Sequence, residues 1–301
     1  MKKLLILLSV LLLMGLMLAA CNNAAPPAPK QEAPAAKEEA PAAKEEPTSE
    51  PVDQCAPENL ALFEKGKLTV ATGEPVYPPW MMDDDPSNGK GFESAVVYAV
   101  AKELGIAPEN VQWVRTSFDE AISPVEKKYD FNIQQYSITE EREKIVDFST
   151  PYYFVPKSVV TIKGSPAVGA KTFADLQKVK FGATVGTTDL EYIEKVIGAK
   201  DVAVYNTEVD VVSAMAAGQI DATVIGLPTA FYITAVQLDD GVIAGVLPSE
   251  DEEGFGMLFS EGSKLTPCVN QAIQKLRENG TLDKLAEEWL QGNGDIPTIT
   301  K

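Results

Sequence analysis

Two α/β lobes, each a mostly parallel sheet covered by helices, form the fold class this sequence predicts. Three observations carry it. From Lys67 onward, strand-like and helix-like segments alternate, the pattern of parallel sheets faced by helices. The alternation runs twice, with a loose stretch "GSPAVGA" (164–170) between the two sets. Near residue 250 the chain turns back through further strand segments. This course describes a double crossover between lobes. A single doubly wound sheet is the structural alternative.

In order, "KLTVAT" (67–72) reads as a strand and "GFESAVVYAVAKELG" (91–105) as an amphipathic helix stopped by Gly105. "VQWVRT" (111–116), "DFNIQQ" (130–135) and "KSVVTIKG" (157–164) read as strands. The second set has a helix around "FADLQK", a strand "FGATVG" (181–186) and a helix from Thr188. Strand "DVAVYN" (201–206), helix "EVDVVSAMAAGQ" and strand "ATVIG" (222–226) follow. "GVIAGVLP" and "EGFGMLFS" carry the chain back, and helices near 264–279 and 281–290 precede a polar tail. The expected lobes are 55–160 with 250–293, and 161–249.

The N-terminus has its own chemistry. Lys2 and Lys3 precede an almost unbroken apolar run, Leu4 to Leu18, so residues 1–20 read as a signal peptide. The run falls short of the ~20 residues that span a bilayer. Leu18-Ala19-Ala20-Cys21 resembles the lipobox of bacterial lipoproteins, which implies cleavage before Cys21 and a lipid on its sulfur. Two acyl chains would hold the protein at the membrane surface. Residues 21–54 are built from Ala, Pro, Glu and Lys, with "APAAKEE" at 33–39 and again at 40–46. Too little of this stretch is apolar to form a core, so it reads as a tether with a reach of about 100 Å.

Composition excludes several chemistries. A formal charge of −18 disfavours nucleic acid. The absence of histidine removes Ser-His-Asp, Cys-His and histidine–metal sites. Three cysteines are too few for a thiolate cluster, and no metal or cofactor is expected. With Cys21 lipidated, Cys55 and Cys268 are candidate disulfide partners in an exported protein; two free buried thiols are the alternative.

Arg142, one of three arginines, closes "QQYSITEER" near a strand end, where ligands of open parallel sheets bind. Its fork can grip a carboxylate through two parallel bonds, whereas a surface ion pair with Glu140 or Glu141 would contribute little. Gly186-Thr187-Thr188 repeats the arrangement in the second set, with hydroxyl residues opening a helix. One anion-friendly site per lobe suits a clamp closing on a carboxylate.

"GKLTVATGEPVYPPW", "GKGFESAVVYAVAKELG", "DFNIQQYSITEEREKIVDFSTPYY", "GATVGTT", "GQIDATV" and "NGTLDKLAEEWL" together resemble successive motifs of the family 3 extracellular solute-binding proteins, receptors of bacterial ABC importers for polar amino acids. The resemblance covers roughly 66–290. It implies the type II periplasmic-binding-protein fold, two lobes joined by a double-crossover hinge. By position it gives Arg142 the ligand α-carboxylate, with Thr187 and Thr188 as the second-lobe contacts. Ser137 and Gln135 match ligand-contacting positions, the latter often glycine in the family. Phe118 matches an aromatic packed on the ligand, and Tyr77 and Trp80 fall in the segment supplying the aromatic wall; core packing is the alternative for all three rings.

One position departs from the family's pattern. Where an Asp neutralises the ligand α-ammonium, this chain has Gly226. A buried ammonium without a counter-charge is costly. Glu74 is the first candidate substitute, and a ligand lacking the amino group is another solution. The resemblance implies a monomeric, membrane-anchored binding protein outside the cell membrane that delivers an amino acid to an ABC permease, and not an enzyme. An arogenate- or prephenate-dehydratase-like activity on the same scaffold is the alternative. A pocket carboxylate held in its neutral form would favour it.

Overall fold

The structure, a computed structural model, describes residues 53–248, 254–290, 292 and 295–301. The expected signal peptide, the lipobox Cys21 and the tether up to residue 52 lie outside the described residues. Among those described, no helix is long and apolar enough to cross a membrane.

The chain enters through β1 (Leu68–Thr72), every residue of which is buried. Helix α1 (Phe92–Glu103) follows and ends at Gly105, whose φ of 72° suits the turn. Gly91 precedes α1 with φ 91°, and a Cβ there would lie 2.5 Å from the Trp80 carbonyl oxygen. The helix can therefore start directly against the Trp80 loop only with glycine at this position. Strand β2 (Val111–Arg115), the short helix α2 (Phe118–Ala121), β3 (Phe131–Asn132) and β4 (Val146–Phe148) complete the first pass.

The chain then crosses through β5 (Tyr153–Phe154) into β6 (Lys157–Ile162). Helix α3 (Phe173–Leu176), β7 (Gly182–Thr184), α4 (Thr188–Glu191), β8 (Ala203–Tyr205), α5 (Glu208–Ala216), β9 (Ala222–Gly226), α6 (Leu227–Tyr232) and β10 (Gly241–Val246) build the second half. The return runs through β11 (Gly254–Phe255) to β12 (Leu258–Ser260), and helices α7 (Thr266–Glu278) and α8 (Thr281–Trp289) pack on α1.

The first sheet has the order β2-β1-β3-β12-β4, with β1 parallel to both neighbours and β12 antiparallel to β3 and β4. In the second half β6 lies between β9 and β10, antiparallel to both. Strands β7 and β8 are parallel, and Phe181 bridges to Ala222 at the start of β9. The second order is thus β8-β7-β9-β6-β10, the same plan as the first. In each half the antiparallel intruder is the strand that arrives from the other half. The crossing strands β5 and β11 pair with each other, Gly254 opposite Phe154 and Phe255 opposite Tyr153, which makes the hinge.

This architecture is the type II fold the sequence predicts, with differences in detail. Strand β6, which a boundary at 160 would divide, pairs along its whole length within the second sheet. The tail does not end as a polar appendage. Thr298 and Thr300 bridge to Val246 and Thr172, and Ile299 is fully buried in the second core. A Cβ on Gly245 would meet Ile299 Cγ1 at 2.6 Å, so this close seat needs glycine. Strands β4 and β5 and helix α6 were not expected. Two or three residues, or a Pro-containing apolar run, show too little periodicity to be read. Cys55 and Cys268 are bonded to each other, with Cα atoms 5.3 Å apart, joining the start of the folded part to α7.

Candidate ligand-binding site

Each parallel strand delivers its carboxyl end to one cavity of about 160 Å³. Beyond β1 come Glu74, Pro75, Tyr77 and Trp80; beyond β2, Thr116 to Asp119; beyond β3, Gln134, Gln135 and Ser137. The second half contributes Thr187 to Asp189 beyond β7, Asn206 to Glu208 beyond β8, and Gly226 at the end of β9. The rule that α/β sheets bind at the carboxyl ends of their strands explains the convergence. All ten candidate contacts line this cavity: Arg142, Ser137, Gln135, Thr187, Thr188, Phe118, Tyr77, Trp80, Glu74 and Gly226.

Arg142 is buried, 8% exposed, and opens a short 3-10 turn. Its Nη1 donates to the Ser137 carbonyl at 2.7 Å and its Nη2 to the Gly186 carbonyl at 3.0 Å. One partner belongs to each half, so the guanidinium plane is set by both. Below it lies the Phe118 ring, 5.5 Å from the guanidinium carbon and stacked on Tyr136 at 4.5 Å. Arg142 is thus a buried residue of the cleft and not a surface one, and its guanidinium donates to carbonyls inside it.

The two Thr hydroxyls divide the work. Thr187 caps α4, accepting from the Leu190 amide at 3.2 Å and donating to the Thr184 carbonyl at 2.8 Å. Thr188 Oγ1 reaches across the cleft to Ser137 Oγ at 3.2 Å and accepts from Lys157 Nζ at 3.1 Å. Lys157 is also paired with Asp189 at 2.6 Å. It sits opposite Gly226 in the β6–β9 register. The end of β9 at Gly226 therefore has a lysine–aspartate pair beside it.

Gln135 lines the cavity but turns both donors away from it. Its amide donates to Glu93 Oε1 at 2.8 Å, and its side-chain nitrogen donates to Glu93 Oε2. Tyr152 donates to the same carboxylate. The left-handed backbone of Gln135, φ 52°, is held by these bonds. Glu93 is fully buried, and loss of water pushes its carboxyl up to about 7 against the three bonds. Trp80, 1% exposed, packs edge-on against Phe92, Tyr153 and Phe255, and its indole donates to Thr229 Oγ1 at 2.7 Å. It is as much core as wall, and it ties the two halves together.

Glu74 is exposed at the cavity mouth. Its loop is braced by Arg115, which donates to the carbonyls of Gly73 at 2.5 Å and Asp84 at 2.7 Å. Glu208, the first residue of α5, was not expected at the site. Part of the residue keeps water, but its carboxyl is shut away, which together with the nearby Asp189 carboxylate pushes it up to about 8. Burial and Glu208 in turn raise the Tyr77 phenol to about 12. The signal available in sequence was position alone, an acid two residues after strand "DVAVYN" at its carboxyl end.

Residues 68–292 match the model of the bacterial extracellular solute-binding proteins, family 3. The chain is 30% identical over 227 residues to the L-cystine-binding protein of Escherichia coli K12, covering 75% of this chain and 83% of that one. Among solved structures it is similar to an ancestral arginine-binding protein bound to arginine, with a TM-score of 0.63, 30% identity, and coverage of 75% and 99%. An ancestral amino acid-binding protein, a precursor of cyclohexadienyl dehydratase, has a TM-score of 0.64, 29% identity, and coverage of 75% and 96%.

Proposed function

The chain belongs to the family 3 bacterial extracellular solute-binding proteins, and on that premise we propose that it captures a polar amino acid by closure of its two lobes. The carrying observation is Arg142, buried in the cleft and bonded to one carbonyl from each half. A ligand carboxylate meets this guanidinium together with Thr188, whose hydroxyl already spans the cleft to Ser137. Phe118 and Tyr77 supply the apolar wall for the ligand's carbon chain. Binding favours the closed arrangement by the difference between the ligand's affinities for the closed and open states. The relatives' ligands, arginine and cystine, are both amino acids, which supports this class. The protein acts as a monomer held outside the cell membrane through a lipid on Cys21. It hands the amino acid to the permease of an ABC importer and carries out no reaction itself. Titration calorimetry tests the site: Arg142→Ala should lower affinity for the amino acid at least tenfold. Unchanged affinity would overturn the assignment.

One observation favours the dehydratase-like second reading. The Glu208 carboxyl is held toward its neutral form within the cavity, as a general acid requires. Incubation with arogenate or prephenate separates the two readings: the binding protein produces no phenylalanine or phenylpyruvate above the uncatalysed rate. Turnover abolished by Glu208→Gln would establish the enzyme.

A further inference from the structure

Among the described residues, four acidic side chains line the cavity, Glu74, Asp119, Asp189 and Glu208, against two basic ones, Arg142 and Lys157. Lys157 is paired with Asp189, and Arg142 is the proposed grip for the ligand's own carboxylate. The cleft therefore holds an excess of acid that a zwitterion of zero net charge leaves uncompensated. Glu208 is the sharpest part of that excess. Among the described residues its carboxylate has no hydrogen bond and no ion pair, and its strongest charged neighbour is Asp189, of like sign. Unpaired, enclosed carboxylates are expensive, and burying a second acid beside one without a cation between them is more so.

Topology says which part of a ligand Glu208 can meet. It follows β8, which among the described residues is an edge strand paired with β7. Gly226 ends β9, on the other side of β7. Two strand spacings, roughly 10 Å, separate the ends of β8 and β9. Arg142 reaches the loop after β7, between them, through Gly186. Glu208 therefore does not stand in for the acid missing at Gly226. It lies on the far side of the carboxylate grip, beside the Tyr77 ring, where a ligand's side chain would run.

We propose that Glu208 receives the cationic end of the ligand's side chain, so that the cleft selects an amino acid with a basic side chain over a neutral one. This deepens the amino-acid-binding reading and rests on it. The cation would lie between Glu208 and Asp189, with Glu208 giving up its proton to receive it, Lys157 remaining on Asp189 and the Tyr77 phenol staying neutral beside it. Asp210, further along α5, adds negative potential of the same sign.

The probes are L-arginine and L-glutamine, one cationic and one neutral at the end of its side chain. Calorimetry on the full chain at pH 7 should find arginine at least tenfold tighter than glutamine. Glu208→Gln should cut that ratio at least tenfold, and Glu208→Asp should keep arginine preferred, which guards against a merely misfolded variant. Titrations in buffers of different ionisation heat should also show arginine expelling a proton from the wild type but not from Glu208→Gln. Glutamine binding as tightly as arginine, or a ratio unchanged in Glu208→Gln, would overturn this inference and leave the amino-acid-binding reading standing. A wild type that binds neither these nor any other amino acid would sink both.

Discussion

Reducing the Cys55–Cys268 bridge is expected to lower stability strongly while leaving the ligand site intact. The bridge spans a sequence separation of 213, almost the whole folded part. Loop-closure entropy for a ring of that size sets a ceiling of about 5 kcal/mol at 25 °C. A unit of roughly 250 residues shifts by about 2 °C in Tm per kcal/mol, so the ceiling corresponds to about 10 °C. Cys268 is buried in the first core with Val269 and Ala272 of α7, whereas neither cysteine lines the cavity. Denaturant and thermal unfolding of the wild type and of Cys55→Ala/Cys268→Ala, with calorimetric titration of each, would check both halves of the expectation. A Tm shift under about 2 °C would refute the loop-entropy reasoning. Amino-acid affinity falling tenfold at a temperature where both proteins are folded would refute the separation of staple and site.

Stability should fall as pH rises. Glu93 has its folded pKa raised to about 7 from 4.5, so the folded state holds its proton more tightly than the unfolded chain does. The stability this gives is present in acid and is lost between about pH 4.5 and 7, amounting to up to about 3 kcal/mol. Asp130, raised to about 6 by burial, adds in the same direction. Urea unfolding at pH 5.5 and pH 8 measures it, and a flat or rising profile contradicts it. At Gly226, substitution by Asp would bring a Cβ within 2.8 Å of Val155 Cγ2, so the valine must shift to admit it. Gly226→Asp should raise affinity for the amino acid by supplying the absent ammonium partner. Calorimetry finding no gain would discard the counter-charge argument at this position.

The sequence was most legible where period and punctuation agreed. Strand β1, helix α1 with Gly105, β6 and β9 all stand within a residue or two of their expected limits. So does the convergence of the candidate residues, because strand ends in a parallel sheet must meet on one side. What each side chain does there was less legible. Thr187 and Thr188 are identical letters, yet one caps a helix and the other bridges the cleft, a distinction set by a single turn of backbone. Gln135 was assigned to the ligand, but its donors serve Glu93, an acid that sequence places on a helix and only packing places behind the cavity. Glu208 and Lys157 carry no motif. Their meaning comes from neighbours far apart in sequence, Asp189 above all.

A crystal structure of the protein with a bound amino acid would test the central claim most directly. The account predicts a ligand carboxylate at about 3 Å from the Arg142 guanidinium and from the Thr188 hydroxyl, with the side chain running past Tyr77. A carboxylate seated elsewhere, or Arg142 swung out to bulk water while the cleft is filled, would contradict it.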